Sequence, residues 1–314
     1  MSIPIMADGL PQANLDLLGD EYEVFDWDIS DGSPALEKCV ALLTYSHPGV
    51  DGALMDRMPN LKVISNHGVG VDHIVVADAD ARGIPVGNTP GCLNASTADM
   101  TMALLMASAR NVVVGDHYAR SPEFVHYDPA ILIGQEVTGS TLGIVGMGRI
   151  GKEVAKRANA FDMKVLYHNR RRDEAAEQSL GVEYRELNDL LQECDFVTLN
   201  CPLTPETTGM IGREQLELMQ PGATLINMAR GPVVVTQDLY DVLKVGRIRG
   251  AGLDVTDPEP LERDNPLLTL TNVVIAPHLG SASNRTRQRM MEMSIENMAA
   301  GLAGNALPYQ VGGK

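Results

Sequence analysis

Cysteine is scarce in this sequence, and long apolar runs are absent. The four cysteines, Cys39, Cys92, Cys194 and Cys201, are widely spaced and form no Cys-x-x-Cys pair. This spacing argues against a disulfide-stabilised fold and predicts reduced thiols in a cytoplasmic protein. No apolar stretch is long enough for a membrane span, and the first basic residue is Lys38. A secretory or mitochondrial targeting segment is therefore not expected.

Positive charge is also scarce. The 25 Lys and Arg residues are outnumbered by 41 Asp and Glu residues, which gives a formal net charge of −16. Such an acidic balance argues against nucleic acid or an anionic membrane as a partner. The 314 residues, 44% of them hydrophobic, are enough for two globular domains, each with its own core.

The most informative motif present is the run Gly146-Met-Gly148-Arg-Ile-Gly151. An apolar segment at 140–145 precedes it, and a helical pattern at 152–160 follows it. This order of strand, tight turn and helix is typical of a dinucleotide site, since the glycines let the backbone approach a pyrophosphate at a helix N-terminus. The motif alone would be weak evidence, but its context favours a cofactor site over a plain turn.

Strand and helix patterns alternate along the chain, which predicts an α/β fold. A regular rhythm from residue 140 predicts a doubly wound, Rossmann-type nucleotide-binding domain at 97–283. A smaller, flavodoxin-like α/β domain for the substrate is expected at 1–96 and 284–314. Its parallel strands are predicted from short apolar runs at 39–45, 61–65 and 84–88.

The residues after the second strand of the nucleotide-binding domain bear on the choice of cofactor. An acidic residue there would bind the 2′-hydroxyl of NAD, but the sequence has Asn169 followed by Arg170, Arg171 and Arg172. Guanidinium groups pair with phosphate through two hydrogen bonds. The alternative, a solvated basic start to the next helix, is disfavoured because cations at a helix N-terminus oppose the helix dipole. We therefore predict NADPH as the preferred cofactor, with NADH as a usable alternative.

Three polar residues follow strand patterns in the C-terminal half: Arg230, Glu259 and His278. Taken singly, they would fit a surface charge, a loop residue and a structural histidine. Their joint placement, with Glu259 between two prolines that restrict its backbone, favours one catalytic site. His67 and His73 lack a Cys or acidic partner at ligand spacing, so no metal site is predicted.

Four motifs carry a resemblance to a known family: Gly146-x-Gly148-x-x-Gly151, Asn227-Met-Ala-Arg230-Gly, Gly252-Leu-Asp254-Val and Pro277-His278-Leu-Gly280-Ser. They resemble the D-isomer-specific 2-hydroxyacid dehydrogenases over nearly the whole chain. The segment 251–268 is most similar to the glyoxylate reductase/hydroxypyruvate reductase branch. The resemblance implies an NADP(H)-preferring enzyme that reduces glyoxylate and hydroxypyruvate to glycolate and D-glycerate.

The resemblance also implies a role for each site residue. Arg230 would bind the substrate carboxylate and polarise the carbonyl oxygen, and His278 would donate a proton to that oxygen as a general acid. Glu259 would hold the imidazole and favour its protonated form. Substrate contacts are predicted from Val69, Gly70, Arg230, His278 and Ser281. Cofactor contacts are predicted from Gly146, Gly148, Arg149, Ile150, Gly151, Asn169, Arg170, Arg171, Cys201, Pro202, Met228, Ala229, Asp254, His278 and Gly280. For Asp254, a turn-capping role is the alternative to a hydrogen bond with the nicotinamide carboxamide.

Other members of the family offer alternatives. Formate-oxidising members carry Gln where this chain has Glu259, so formate is not expected. A reductase of a longer sugar acid such as 2-ketogluconate remains open, with Tyr45 and Ser46 among the residues that would set pocket size. A cofactor-gated binding protein, like the corepressors related to this family, is the alternative from another class. By analogy with the family, we expect a homodimer, with the irregular segment 111–135 as an exchanged arm.

Overall fold

A computed structural model describes residues 2–312 of the chain. The chain divides into two compact units, Met1–Leu93 with Ser283–Lys314, and Asn94–Ala282. The sequence-based boundaries, at 96/97 and 283/284, fall close to these positions. The ends of the predicted ranges, residue 1 and residues 313–314, lie outside the described residues.

The first unit contains a parallel sheet of five strands within the described residues, in the order β2-β1-β3-β4-β5. This order is that of a flavodoxin-like sheet. Its strands are β1 (Ile3–Ala7), β2 (Tyr22–Asp26), β3 (Ala41–Thr44), β4 (Val63–Asn66) and β5 (Val86–Gly87). Its helices before residue 94 are α1 (Gln12–Leu18), α2 (Pro34–Lys38), α3 (Gly52–Asp56) and α4 (Val76–Ala81), with a 3-10 turn at Gly19–Glu21.

The second unit opens with helices α5 (Asn94–Ala109) and α6 (Val112–Arg120). Its strands are β6 (Thr141–Val145), β7 (Lys164–His168), β8 (Glu183–Tyr184), β9 (Phe196–Leu199), β10 (Thr224–Asn227), β11 (Gly250–Leu253) and β12 (Val273–Ile275). Its other helices are α7 (Arg149–Ala160), α8 (Glu174–Leu180), α9 (Leu187–Glu193), α10 (Arg213–Leu218) and α11 (Thr236–Lys244), with 3-10 turns at Gly231–Val233 and Pro266–Thr269.

The strands of the second unit pair in parallel in the order β12-β11-β10-β9-β6-β7-β8. From the opposite edge of the sheet, strands β8-β7-β6-β9-β10-β11 follow the order of a doubly wound dinucleotide-binding sheet. Strand β12 extends this sheet by one strand. The central strands β9 and β10 are mostly apolar and fully buried, as expected for a sheet with helices on both faces. The predicted two-domain α/β fold is therefore confirmed.

The last helix, α12 (Asn284–Leu302), belongs to the first unit. Its Met291 and Met298 are fully buried in the same apolar cluster as Val63 of β4. A Cβ atom on Gly301 would lie 2.6 Å from the Val63 side chain. The absence of a side chain at Gly301 therefore lets the helix pack directly onto the sheet.

The segment predicted to be irregular contains a helix, α6, and that part of the prediction was wrong. Three successive valines, Val112–Val114, followed by Gly115 have low intrinsic helix propensity. None of the α6 residues is buried, so no apolar stripe indicates the helix in the sequence. Beyond it, residues 121–139 form turns and bends without a helix or strand. Among residues 2–312, no helix is both long and apolar enough to cross a membrane.

Candidate active site

The glycine motif forms the turn between β6 and α7, and its glycines meet different demands. Gly146 has a φ of 104°, and a Cβ there would lie 2.7 Å from the backbone nitrogen of Cys201. A Cβ on Gly151 would lie 2.3 Å from the carbonyl oxygen of Gly146, so this glycine lets the helix approach the strand. Around Gly148 the corresponding space is open, which is where a ligand can approach the backbone closely.

Helix α7 starts immediately after Gly148, and no side chain caps its N-terminus. The backbone N–H groups of its first turn, beginning at Arg149 and Ile150, have no helical acceptor. Such a helix start attracts an anion through these N–H groups and the helix dipole. The turn therefore fits the diphosphate of a dinucleotide.

The end of β7 is tied to this turn. The Asn169 side-chain oxygen accepts a hydrogen bond from the Met147 N–H at 2.8 Å. Of the arginines that follow, Arg172 is engaged within the unit, since its guanidinium donates to both oxygens of Glu177 at 2.7 and 2.6 Å. The side chains of Arg170 and Arg171 are exposed, and no ion pair with them occurs among residues 2–312. These two remain the cationic candidates for a phosphate contact.

The ends of β9 and β10 bring further predicted cofactor residues to the same edge of the sheet. The loop after β9 packs its Asn200–Cys201 peptide against Gly146 and continues into Pro202. Burial raises the pKa of the Cys201 thiol to about 11, so this cysteine is not a thiolate at neutral pH. Met228 and Ala229, directly after β10, are buried.

Asp254, at the end of β11, supports the loop that carries His278. Its two carboxylate oxygens accept hydrogen bonds from the N–H groups of Leu279 and Gly280 at 2.7 and 2.8 Å. Burial raises the pKa of this carboxyl group, while the two hydrogen bonds act in the opposite direction. The adjacent Ser281 is also buried. The hydrogen bonds of Asp254 are those of the turn-capping alternative, and its contact with a cofactor stays a prediction.

The structure brings Arg230, Glu259 and His278 together. The Nδ1 atom of His278 lies 2.7 Å from Oε1 of Glu259, and both side chains are partly exposed. Burial raises the pKa of Glu259, but the hydrogen bond and charge of His278, with the charge of Arg230, outweigh burial and hold it below its ordinary value. Glu259 is thus a carboxylate at neutral pH. The pair is suited to moving a proton, and the positive charge of Arg230 is close enough to favour the ionised form of Glu259.

The backbone around this triad is held by Asn227, a residue that the sequence reasoning did not assign. Its amide nitrogen donates to the Arg230 carbonyl oxygen at 2.9 Å, and its amide oxygen accepts from the Ala229 N–H at 3.0 Å. His278 itself has a left-handed φ of 55°, and its N–H donates to the Asp254 carbonyl oxygen at 2.9 Å. An asparagine at the end of a buried strand is the sequence signal that could have indicated Asn227.

In the first unit, the predicted substrate residues Val69 and Gly70 lie in the turn after β4. Val69 is exposed and Gly70 is partly exposed. Asn66, the last residue of β4, donates from its side chain to the carbonyl oxygens of Gly68 and Gly70. Asn66 was not assigned from the sequence either, although it too is an asparagine at the end of a buried strand. Among residues 2–312 no cluster of three His, Cys, Asp or Glu side chains is arranged for a metal ion.

Comparison with known proteins identifies close relatives along the whole chain. Residues 102–280 match the family model described as D-isomer specific 2-hydroxyacid dehydrogenase, NAD binding domain. The glyoxylate reductase of Korarchaeum cryptofilum is 46% identical over 311 residues, which cover 96% of this chain and 93% of the relative. The glyoxylate reductase of Pyrococcus furiosus is 43% identical over 312 residues, with the same two coverages.

A solved structure extends the similarity to the fold. It is that of the NADPH-dependent glyoxylate/hydroxypyruvate reductase from Sinorhizobium meliloti, in complex with NADP and malonate. Its TM-score to this chain is 0.90 at 30% sequence identity, and the match covers 99% of this chain and 97% of that one. Sequence and structure thus point to the same group of proteins.

Proposed function

The chain belongs to the D-isomer specific 2-hydroxyacid dehydrogenase family, and we propose that it reduces glyoxylate and hydroxypyruvate to glycolate and D-glycerate, preferring NADPH. The observation that carries this proposal is the His278–Glu259 pair at 2.7 Å, with Arg230 close enough to lower the pKa of Glu259. Relatives named glyoxylate reductase, at 43% and 46% identity, support glyoxylate as a substrate. The four cysteines are free, which supports a place in the reducing cytoplasm.

The proposed mechanism assigns the proton to His278. Because Nδ1 of His278 faces Glu259, the proton leaves from Nε2 to the carbonyl oxygen of the substrate. Glu259, ionised at neutral pH, stabilises the imidazolium that holds this proton. Arg230 binds the substrate carboxylate and polarises the carbonyl bond through its positive charge. In the reverse direction His278 accepts the proton as a base.

The glycine turn and the residues around it are proposed to hold the cofactor. The uncapped start of α7 and the open space at Gly148 fit a diphosphate. When bound, the nicotinamide supplies the hydride. In the first unit, we assign the binding of the substrate carboxylate to the N–H groups of Val69 and Gly70.

Initial rates test the reaction. We expect turnover of glyoxylate and hydroxypyruvate with NADPH, lower rates with pyruvate, and little reduction of 2-ketogluconate. Each acid should be assayed with NADPH and NADH. Higher activity on 2-ketogluconate would make the protein a sugar-acid reductase. Cofactor binding without turnover of any 2-oxo acid would favour a cofactor-gated binding protein and overturn the proposal.

The preference for NADPH rests on Arg170 and Arg171, which are exposed after β7. We expect Arg170→Asp to raise the KM for NADPH about tenfold or more, because a carboxylate repels the 2′-phosphate that a guanidinium binds. The KM for NADH should change little. Arg110→Asp is the matched control, since it reverses an exposed charge in the same unit outside the predicted cofactor contacts. Equal effects of Arg170→Asp on both cofactors would contradict the phosphate contact.

We propose that the protein is a homodimer. The support is an exposed apolar surface beyond α6, where Val125, Tyr127 and Ile133 are 77%, 80% and 70% exposed. Apolar side chains exposed in this way are typical of a surface that another molecule covers. Sedimentation equilibrium distinguishes a dimer from a 33.8 kDa chain. A single species at the mass of one chain would contradict this proposal.

A further inference from the structure

We propose that Asn66 and Asn88 are positioning residues that turn the N–H groups of Val69 and Gly70 toward the substrate carboxylate. The inference rests on the proposed function, because it concerns how that substrate is held. It starts from a simple property of the backbone. In a planar trans peptide the carbonyl oxygen of one residue and the N–H of the next point in opposite directions. Fixing the carbonyl oxygen therefore also fixes the direction of the following N–H.

Both peptide units that matter are fixed through their carbonyl oxygens. The Gly68 oxygen accepts from the Asn66 side chain at 3.0 Å and from the Thr89 N–H at 3.0 Å. These contacts direct the Val69 N–H away from the Asn66 side chain. The Val69 oxygen accepts from the Asn88 side chain at 2.9 Å. That contact directs the Gly70 N–H away from Asn88.

The two N–H groups themselves are left unpaired. Among residues 2–312, no acceptor is found for the N–H of Val69 or of Gly70. The Val69 residue is 37% exposed, so the turn is accessible. Two adjacent N–H donors in a turn whose carbonyl oxygens are already bonded are suited to an anion.

The Asn66 amide is itself oriented by a neighbour. Thr44 lies opposite Asn66 in the β3–β4 pairing, and its hydroxyl donates to the amide oxygen at 2.9 Å. With the hydroxyl as the donor, the amide oxygen of Asn66, and not its nitrogen, faces Thr44. The amide nitrogen is thereby turned to the carbonyl oxygens of Gly68 and, at 2.8 Å, Gly70. Thr44 and Asn66 are both fully buried, so water does not compete for the bond between them.

Asn88 is held from the other side of the turn. Its N–H donates to the Tyr309 carbonyl oxygen at 3.0 Å, and its carbonyl oxygen accepts from the Asn297 side chain at 3.0 Å. Asn297 is fully buried on α12. The backbone position of Asn88 is thus fixed by the last helix and the chain after it, which gives the Val69 peptide a second anchor.

Kinetics of Asn66→Ala and Asn88→Ala test the inference. We expect each variant to raise the KM for glyoxylate about tenfold, because Asn66→Ala removes the side-chain bonds to the Gly68 and Gly70 oxygens and Asn88→Ala removes the bond to the Val69 oxygen. The KM for NADPH and kcat should change by less than about threefold, since neither residue touches the reacting groups. The dissociation constant of oxalate, a carboxylate that is not reduced, should rise by the same factor in the presence of NADPH.

Ser65→Ala is the matched control. Ser65 precedes Asn66 on β4, is equally buried, and donates a hydrogen bond of 2.9 Å to the Ser294 carbonyl oxygen, which is no part of the turn. It should lower thermal stability about as much as Asn66→Ala and leave the KM for glyoxylate unchanged. Equal KM values for the Asn66→Ala and Ser65→Ala proteins would overturn the inference.

A second variant keeps the test decisive if Asn66→Ala does not fold. Thr44→Val preserves volume and removes only the hydroxyl that orients the amide. It should raise the KM for glyoxylate about threefold, and an unchanged KM would count against the inference. Wild-type protein without activity on any 2-oxo acid would overturn the proposed function and this inference together. Wild-type activity with unaffected variants would overturn the inference alone.

Discussion

The two units of this protein each end a buried parallel strand in an asparagine, and the two side chains hold the following turn differently. In the second unit, the amide of Asn227 bonds only within its own turn, to Ala229 and Arg230. In the first unit, Asn66 is oriented by Thr44 of the neighbouring strand before it reaches its turn. In the proposed site, the turn of the second unit thus presents the charged side chain of Arg230, whereas the turn of the first unit presents main-chain N–H groups.

This difference indicates a division of labour. The proposed chemical groups, Arg230, Glu259 and His278, are side chains of the second unit, so substitution can remove them. In the first unit, the groups proposed to donate to the substrate carboxylate are backbone N–H groups. A substitution can change their direction but cannot remove them. Changes in the second unit should therefore affect kcat, whereas changes in the first should affect mainly KM.

The largest effect is expected from His278→Ala. Removing a general acid typically costs about 10²–10⁴-fold in rate, so we expect kcat to fall about a thousandfold. Cofactor affinity, measured by fluorescence titration with NADPH, should be retained. His117→Ala is the control, since His117 is an exposed histidine of α6 in the same unit. Substantial residual kcat in the His278→Ala protein would mean that the proton does not come from this side chain of the second unit.

The next largest effect is expected from Glu259→Gln. The hydrogen bond and charge of His278 outweigh burial and hold the pKa of Glu259 below its ordinary value. The carboxylate therefore persists from neutral pH into moderately acidic solution. Glutamine keeps the shape but cannot stabilise the imidazolium, so kcat for reduction should fall about a hundredfold above neutral pH.

The pH–rate profile gives this experiment its specific readout. In the Glu259→Gln protein, the pH above which reduction slows should move to lower values. Glu262→Gln, an exposed change on the same loop, should leave the profile unaltered. An unshifted profile for Glu259→Gln would mean that the carboxylate only positions the loop.

A smaller effect is expected from Asn227→Ala, and it compares the two asparagines directly. Loss of both amide hydrogen bonds frees the turn that carries Arg230, so we expect kcat to fall and KM to rise, each about tenfold. Thr224→Val is the control, because Thr224 is buried at the start of the same strand and its hydroxyl has no hydrogen-bond partner among residues 2–312. A change in KM alone would erase the proposed difference between the units.

The sequence predicted the features that depend on local order. The glycine turn at 146–151 was predictable because strand, turn and helix follow one another directly. That Arg230, Glu259 and His278 come together was predictable because each follows a recognisable strand or lies in a family motif, and their catalytic roles stay a prediction. Helix α6 was not, since its valines and exposed surface give no helical pattern. The ion pair between Arg172 and Glu177 was also missed. Which of three successive arginines pairs with a glutamate depends on the direction in which each side chain leaves the start of the helix.

The asparagine contacts required knowledge of strand pairing. Thr44 and Asn66 face each other only because β3 and β4 pair in one register, and a shift of β4 by one residue would turn Asn66 to the other face of the sheet, away from Thr44. Asn88 depends in addition on α12, which is remote in sequence. Such contacts arise from packing across the sheet, which the order of residues alone does not show.

The smallest effect concerns a histidine of the first unit, and it contrasts with His278. Burial, with the charges of Arg287 and His47, lowers the pKa of His67 to about 3. In the unfolded chain the same group titrates near about 6.5. As pH falls below that value, the unfolded chain gains a proton that the folded unit does not. Stability is therefore complete above about pH 6.5 and declines towards acid.

From pH 7.0 to 5.5 this linkage should lower the free energy of unfolding by about 1 kcal/mol. Urea unfolding at the two pH values measures it, and the His67→Phe protein should lack this part of the pH dependence. His126→Phe, at an exposed histidine, should keep it. If His67→Phe responded to pH as the wild type does, His67 would take up a proton in the folded state. The two units would then not differ as proposed, with one histidine held neutral in the turn after β4 and the other, His278, placed to carry the proton of the reaction.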